Sequence, residues 1–207
     1  MFDKITKPLE LKNQKVDLRV AKTHSNIRRA LLELLDKMSY ADIRVEDIIS
    51  HSLINRATFY KYYTGKDDLV GKMIDAVKDR LYNYVQQREK YSNLNDFLFD
   101  QIPKLYEMRF EILMLWKINT PRHNLRQDMV NMVSMRFKEL SIKAFPTKSA
   151  EDLDIQAHLF SHMAVNFIEY VFTKDTMDNI YRASDHLEQI LKMMNFDYAS
   201  ISVKQTN

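Results

Sequence analysis

A cluster of hydrogen-bond donors occupies residues 55–63, N-R-A-T-F-Y-K-Y-Y. Arg56, Thr58, Tyr60, Lys61 and Tyr62 all carry N–H or O–H groups, and beyond Phe59 and the preceding Ile54 the run offers little to a core. At helical spacing these side chains point outward, the profile of a helix meant for a groove. Asn55 suits the start of that helix, since its side chain can accept from the amide of Ala57 or Thr58. Upstream, Val45, Ile48 and Ile49 share one face of another short helix, and Glu46 and Asp47 lie in its first turn, where the helix dipole favours acids. Ser52, Leu53 and Ile54 interrupt the period between the two, and Lys66 follows as an anchor. The stretch Val45–Lys66 thus predicts a helix, a tight turn and a second short helix.

The composition that must position this stretch favours helices. In 207 residues there are two Gly and four Pro, so hairpins and phosphate-cradling Gly loops are poorly supplied, while 45% apolar residues suffice for a substantial core. The expected fold class is all-α. Val20, Ile27, Leu31, Leu34, Leu35 and Met38 mark a first amphipathic helix, and Leu69, Met73, Val77, Leu81, Tyr84 and Val85 mark a long helix opened by Asp67 and Asp68. Further helices are expected around 94–106, with Pro103 kinking it, at 112–116, and from Leu125 to a stop before Pro146. Ser149 with Asp152 reads as a capping pair for the next helix, whose apolar residues cover more than one face, and a last helix starts near Thr176. Two such helices predict a four-helix interface with a second copy, drawing on Phe160, His162, Ala164, Phe167, Val171, Leu187 and Leu191. The expected organisation is an arm at 1–14, a helix-turn-helix unit at 15–66, a larger unit at 67–196 and a tail at 197–207.

Charge is unevenly divided. Residues 1–66 hold 13 Lys and Arg against 8 Asp and Glu, net +5, and the remainder 18 against 20, net −2. The excess sits with the paired short helices, as expected if that end faces a polyanion. Lys15, Arg19, Lys22, Arg28 and Arg29 add to it from the first helix, either as a solvated face or as phosphate contacts. The absence of Cys removes disulfides and thiolate metal sites, and with neither an apolar leader nor an 18-residue apolar run the expected setting is cytoplasmic, with no membrane contact. His158 and His162 have the spacing of a two-histidine clip, but without a clear third ligand a hydrogen-bonded pair at the interface is the expectation, with no metal and no cofactor. No local catalytic constellation is present, so no enzyme is expected. Phe97, Tyr106, Phe110, Met114, Trp116, Met129, Met132 and Phe137 either fill an ordinary core or line an apolar ligand cavity.

The run Thr58-Phe59-Tyr60-Lys61-Tyr62-Tyr63 followed by Gly65-Lys66-Asp67-Asp68-Leu69 resembles the tetracycline-repressor-like (TetR/AcrR) transcription regulators, whose N-terminal domain reads T-φ-Y-x-x-F-x-x-K-x-x-L. Roughly residues 15–75 take part. The resemblance implies a ligand-responsive repressor that binds a palindromic operator in double-stranded DNA as a homodimer and answers to a small-molecule effector held among the middle helices. By position it implies that Arg56, Ala57, Thr58 and Lys61 face base edges, with Tyr60, Tyr62 and Lys66 on phosphates and Arg19, Lys22, Arg44, Val45 and Asn55 also at the DNA surface. A co-regulator that binds protein, or a helical sensor that never meets DNA, is the alternative. Two positions depart from the pattern: Leu53 stands where the family commonly has Gly in the turn, and Arg44 where it has a capping Thr or Ser. Leucine predicts a negative φ at 53, and Arg44 a lost cap.

Overall fold

The computed structural model describes residues 18–92 and 94–174, with isolated positions between Arg182 and Ile190. The expected arm at 1–14, the last helix with Leu187 and Leu191, and the tail from Asp197 lie outside the described residues. Among the continuously described residues eight α-helices follow in order: α1 Leu18–Lys37, α2 Val45–His51, α3 Arg56–Tyr62, α4 Lys66–Gln86, α5 Leu94–Tyr106, α6 Arg109–Trp116, α7 Leu125–Ala144 and α8 Ala150–Phe172, with a 3-10 turn at Gln87–Lys90 after α4. No strand occurs among the described residues. Packing divides the chain into two compact units, 1–69 and 70–207, so the boundary falls inside α4 rather than at its start.

In the first unit α1 turns Ile27, Ala30, Leu31, Leu34 and Leu35 inward at the 3–4–7 spacing of one helical face. Helices α2 and α3 have only seven residues each, too few to be stable alone. Each is held by what it buries: Ile48 from α2, and Phe59 from α3, both at 0% exposure. Ile43 from the loop, Tyr63 and Leu69 complete this core. At about 1.5–3 kcal/mol per fully buried large side chain, a few residues decide whether the unit folds.

In the second unit α4 buries Val70, Met73, Ile74, Val77 and Leu81. Ion pairs join it to its neighbours, Lys78 to Asp128 on α7 at 3.2 Å and Arg80 to Glu111 on α6 at 2.6 Å. Pro103 lies within α5, which ends one turn later at Tyr106. Helices α7 and α8 are antiparallel: Arg126 pairs with Glu169 and Lys138 with Asp154, while the Phe137 and Phe160 rings stack 4.8 Å apart between those ends. The capping pair that opens α8 is present, with Ser149 Oγ accepting from the Asp152 amide at 3.1 Å. Among the described residues no helix is long and apolar enough to cross a membrane.

Candidate nucleic-acid interface and apolar cavity

The paired helices are set by their caps. Arg44 is extended at the start of α2, and its amide donates to the Asp47 carboxylate at 2.8 Å. A guanidinium has no acceptor, so the cap at 44 is half recovered through Asp47 rather than lost outright. At the other end of α2 the Leu53 amide donates to Ser50 O at 3.3 Å and the Ile54 amide to Ile49 O at 3.4 Å. That pair of bonds is the Schellman closure, which requires the residue between to be left-handed. Leu53 has φ 55, against the negative value its side chain predicts, and it is 92% exposed. The closure of α2 overrides the preference of the residue, at a strain of roughly 1–2 kcal/mol.

Leu53→Gly is therefore expected to stabilise the first unit by about 0.5–1 kcal/mol, the relieved strain being partly offset by the greater chain entropy of Gly. A thermal melt that moves up by a few degrees is the expected result, and a drop would show that Leu53 makes a contact worth more than its strain.

Asn55 caps α3 as expected, with Oδ1 accepting from the Thr58 amide at 2.7 Å. Phe59 is the inward anchor of α3. Tyr63 follows, its hydroxyl hydrogen-bonded to His24 Nδ1 at 2.7 Å, and the His24 ring also lies against Tyr62 at 4.5 Å. His24 carried no signal in the sequence, because a lone histidine on a helix has no pattern to betray its partner. With Phe59 and Tyr63 inside, Arg56, Ala57, Tyr60 and Lys61 are exposed, and Thr58 and Tyr62 half-buried. Arg19, Lys22, Arg44 and Asn55 are exposed as well, and Val45 is half-buried.

Arg56 and Lys66 already have protein partners. Arg56 pairs with Glu46 at 2.7 Å and its guanidinium lies 5.2 Å from the centre of the Tyr60 ring. The α2 backbone, and after it Arg56, hold the Glu46 carboxyl below the usual range. Lys66, expected on a phosphate, is turned inward: Nζ donates to Tyr40 O and Ile43 O, both at 2.6 Å, and sits 4.2 Å above the Tyr40 ring. Burial lowers its pKa against the opposing pull of Asp67, Asp42 and Asp47. The physical reason is local, since the loop after α1 leaves carbonyls that need donors and Lys66 stands at the first turn of α4 beside them.

The second unit encloses a cavity of about 340 Å³ walled by α4, α5, α7 and α8. Of the eight residues left open between core and cavity, Phe97, Met129, Met132 and Phe137 line it. Tyr106, Phe110, Met114 and Trp116 do not. Tyr106 and Trp116 gather around Phe172, each ring 6.4 Å from it, Phe110 is 47% exposed, and Met114 is buried. The short, evenly apolar α6 carries no stripe from which its facing could be foretold. Sequence reasoning missed Tyr84, Arg88, Gln101, Arg136 and Met163 in the wall, the polar ones because a charged residue on a helix reads as solvated.

The residues expected at an interface between copies are also redistributed. Phe160, Ala164 and Phe167 line the cavity, and Val171 is 1% exposed within its own chain, which removes it from any interface. The excess of apolar residues on α8 is thus used mostly inside the unit, leaving Ile155, Leu159 and Tyr170 exposed. The His158 and His162 rings are 4.5 Å apart. Asp154 is committed to Lys138 and Glu169 to Arg126, and among the described residues no group of three potential ligands is placed to hold a metal.

No protein-family model matches the chain. Over 75 residues it is 37% identical to an uncharacterized HTH-type transcriptional regulator, YxbF, of Bacillus subtilis, a match spanning 36% of this chain and 20% of that protein. Among solved structures, a TetR/AcrR-type transcriptional regulator from Aquifex aeolicus superposes with a TM-score of 0.60 at 18% identity, covering 83% of this chain and 99% of that one. A gamma-butyrolactone receptor, an ArpA-like protein, superposes with a TM-score of 0.54 at 14% identity, covering 83% and 98%. The chain has the fold of the TetR/AcrR-family transcriptional regulators.

Proposed function

We propose that this protein is a sequence-specific DNA-binding transcriptional regulator of the cytoplasm, a ligand-responsive repressor that works as a homodimer on a palindromic operator. The observation that carries the reading is the outward surface of α3, where Arg56, Ala57, Tyr60 and Lys61 are exposed around a single buried anchor, Phe59. Arg56 and Lys61 donate to guanine O6 and N7, Ala57 and the Thr58 methyl pack on thymine, and Tyr60 and Tyr62 hold phosphates. Arg56 must exchange Glu46 for the base edge, a trade that an exposed ion pair permits cheaply. Two copies of α3 then fit successive turns of one duplex face, about 34–36 Å apart.

The cavity is the proposed effector site. Leu81, Tyr84 and Val85 of α4 line it, and the same helix begins in the first unit, at Lys66. An effector that binds one position of α4 better than another shifts the spacing of the α3 pair, and only such differential binding produces a response. The likeness in fold to a gamma-butyrolactone receptor supports a small organic ligand.

Fragments bound by the purified protein are first selected from source DNA and then used in gel shifts. Thr58→Ala and Lys61→Ala are each expected to weaken binding to the selected fragment roughly 5- to 100-fold while leaving binding to unrelated duplex nearly unchanged. Wild-type binding by both variants would refute the DNA assignment. A monomer by light scattering at micromolar concentration would separately refute the dimer.

A further inference from the structure

The wall of the cavity is apolar except for a few groups, and its charged members among the described residues are both cations, Arg88 and Arg136. Arg88 lies at the half-exposed margin with Nη1 donating to Tyr91 O at 2.7 Å. Gln101, the buried amide of the wall, is committed through Nε2 to Asp100 at 2.6 Å and to the Tyr91 hydroxyl at 2.9 Å. Arg136 differs from both. It is 7% exposed, and of its donors only Nη1 makes an aligned bond, to Glu139 at 3.0 Å. Nη2 lies 3.1 Å from Glu89 without hydrogen-bond alignment, and the better-placed donor to that carboxylate is Lys143 at 2.7 Å.

Nε is therefore buried with no partner among the described residues, and Nη2 has only the unaligned ion pair with the half-exposed Glu89. These two donors form one edge of the guanidinium, the parallel pair that matches the two oxygens of a carboxylate. Buried donors left open are costly and rare, and here they belong to a residue of the cavity wall. Glu89 lies against Nη2 itself and Glu139 against Nη1, both about half exposed, so Nε is the donor of that edge left wholly open and an incoming carboxylate shares Nη2 with Glu89.

We propose that the effector is an amphipathic organic acid, an apolar body ending in one carboxylate, whose carboxylate is gripped by the Nε–Nη2 edge of Arg136 while the body lies against the apolar wall. The proposal rests on the reading of the cavity as the effector site. It also gives a selection rule: an anion is taken, a neutral analogue is held weakly, and a cation is rejected by Arg88 and Arg136 together.

Calorimetric titration of the full chain with decanoate, decanol, decyl phosphate and decyltrimethylammonium tests it. Decanoate is expected to bind roughly tenfold or more tighter than decanol, with no detectable binding of the cation. Arg136→Met is expected to bring decanoate down to the affinity of decanol and to leave decanol unchanged. Equal affinity for acid and alcohol in the unmodified protein overturns the proposal but leaves the effector cavity standing, and so does a preference for decyl phosphate over decanoate. If no decyl probe binds and the neutral dye N-phenylnaphthylamine gains no fluorescence, the cavity reading falls as well. Should Arg136→Met not fold, carboxyl-labelled decanoate bound to the unmodified protein is titrated by carbon NMR. A carboxyl pKa below that of the free acid is expected beside the guanidinium, and a value above it, the mark of an unpaired carboxylate in an apolar site, overturns the proposal.

Discussion

Phe59→Ala will lower the stability of the first unit by about 3–5 kcal/mol, the usual cost of emptying a fully buried aromatic site. Phe59 is 0% exposed and its ring packs against Tyr63 at 5.6 Å. It is also the sole buried residue of the seven-residue α3, whose other holds are the half-buried Tyr62 against His24 and the exposed Arg56–Glu46 pair. A loss of this size is comparable to the whole stability of a unit of this length. The expected result in chemical denaturation is a first transition shifted to much lower denaturant, accompanied by loss of duplex binding. Tyr60→Ala, one residue on and 43% exposed, serves as the comparison and will leave the transition nearly in place. If Phe59→Ala unfolds where the unmodified protein does, α3 is held by something other than its aromatic anchor.

Lys66→Ala will act through folding rather than through phosphate contact. It removes both donors to Tyr40 O and Ile43 O, and hydrogen bonds from a charged group to carbonyls that are only part-exposed carry about 1.5–3 kcal/mol between them once solvent access is allowed for. The expected signature is a lower melting point of the first unit with an unchanged slope of duplex affinity against salt. A lysine that held a phosphate would instead lower that slope by about one and leave the melt alone. The two measurements separate an anchor from a contact residue, and a changed slope with an unchanged melt would return Lys66 to the DNA surface.

Much of the first unit was legible because its signals are local. Val45, Ile48 and Phe59 state helical faces within a few residues, Asn55 caps the helix it precedes, and the surplus of Lys and Arg in residues 1–66 needs no fold to be counted. The exceptions there are equally physical. Leu53 obeys the hydrogen-bond closure of α2 and not its own conformational preference, and Lys66 answers carbonyls more than twenty residues upstream, which no local window contains.

The second unit was legible as helices and poorly legible as a site. Periodicity locates a helix and says which residues are apolar, but whether an apolar residue meets core, cavity or another copy depends on which helices lie against it. Phe137 and Phe160 illustrate this: periodicity marks both as apolar and points them to different surfaces, yet their rings stack 4.8 Å apart on the wall of one cavity. Tyr106 and Trp116, with the same credentials as Phe97, turned to Phe172 instead.

The amino-acid order by itself determined the all-helical class, the paired short helices with their outward donors and the basic character of that end, because each follows from side-chain type and spacing along one helix. Only the tertiary structure decided that Leu53 is left-handed, that Lys66 faces inward, and that Arg136 stands in an apolar wall with one edge of its guanidinium open. Leu53 yields to the hydrogen-bond closure of its own helix, while Lys66 and Arg136 depend on groups brought together from distant parts of the chain, and in each case those demands outweigh the preference of the single residue.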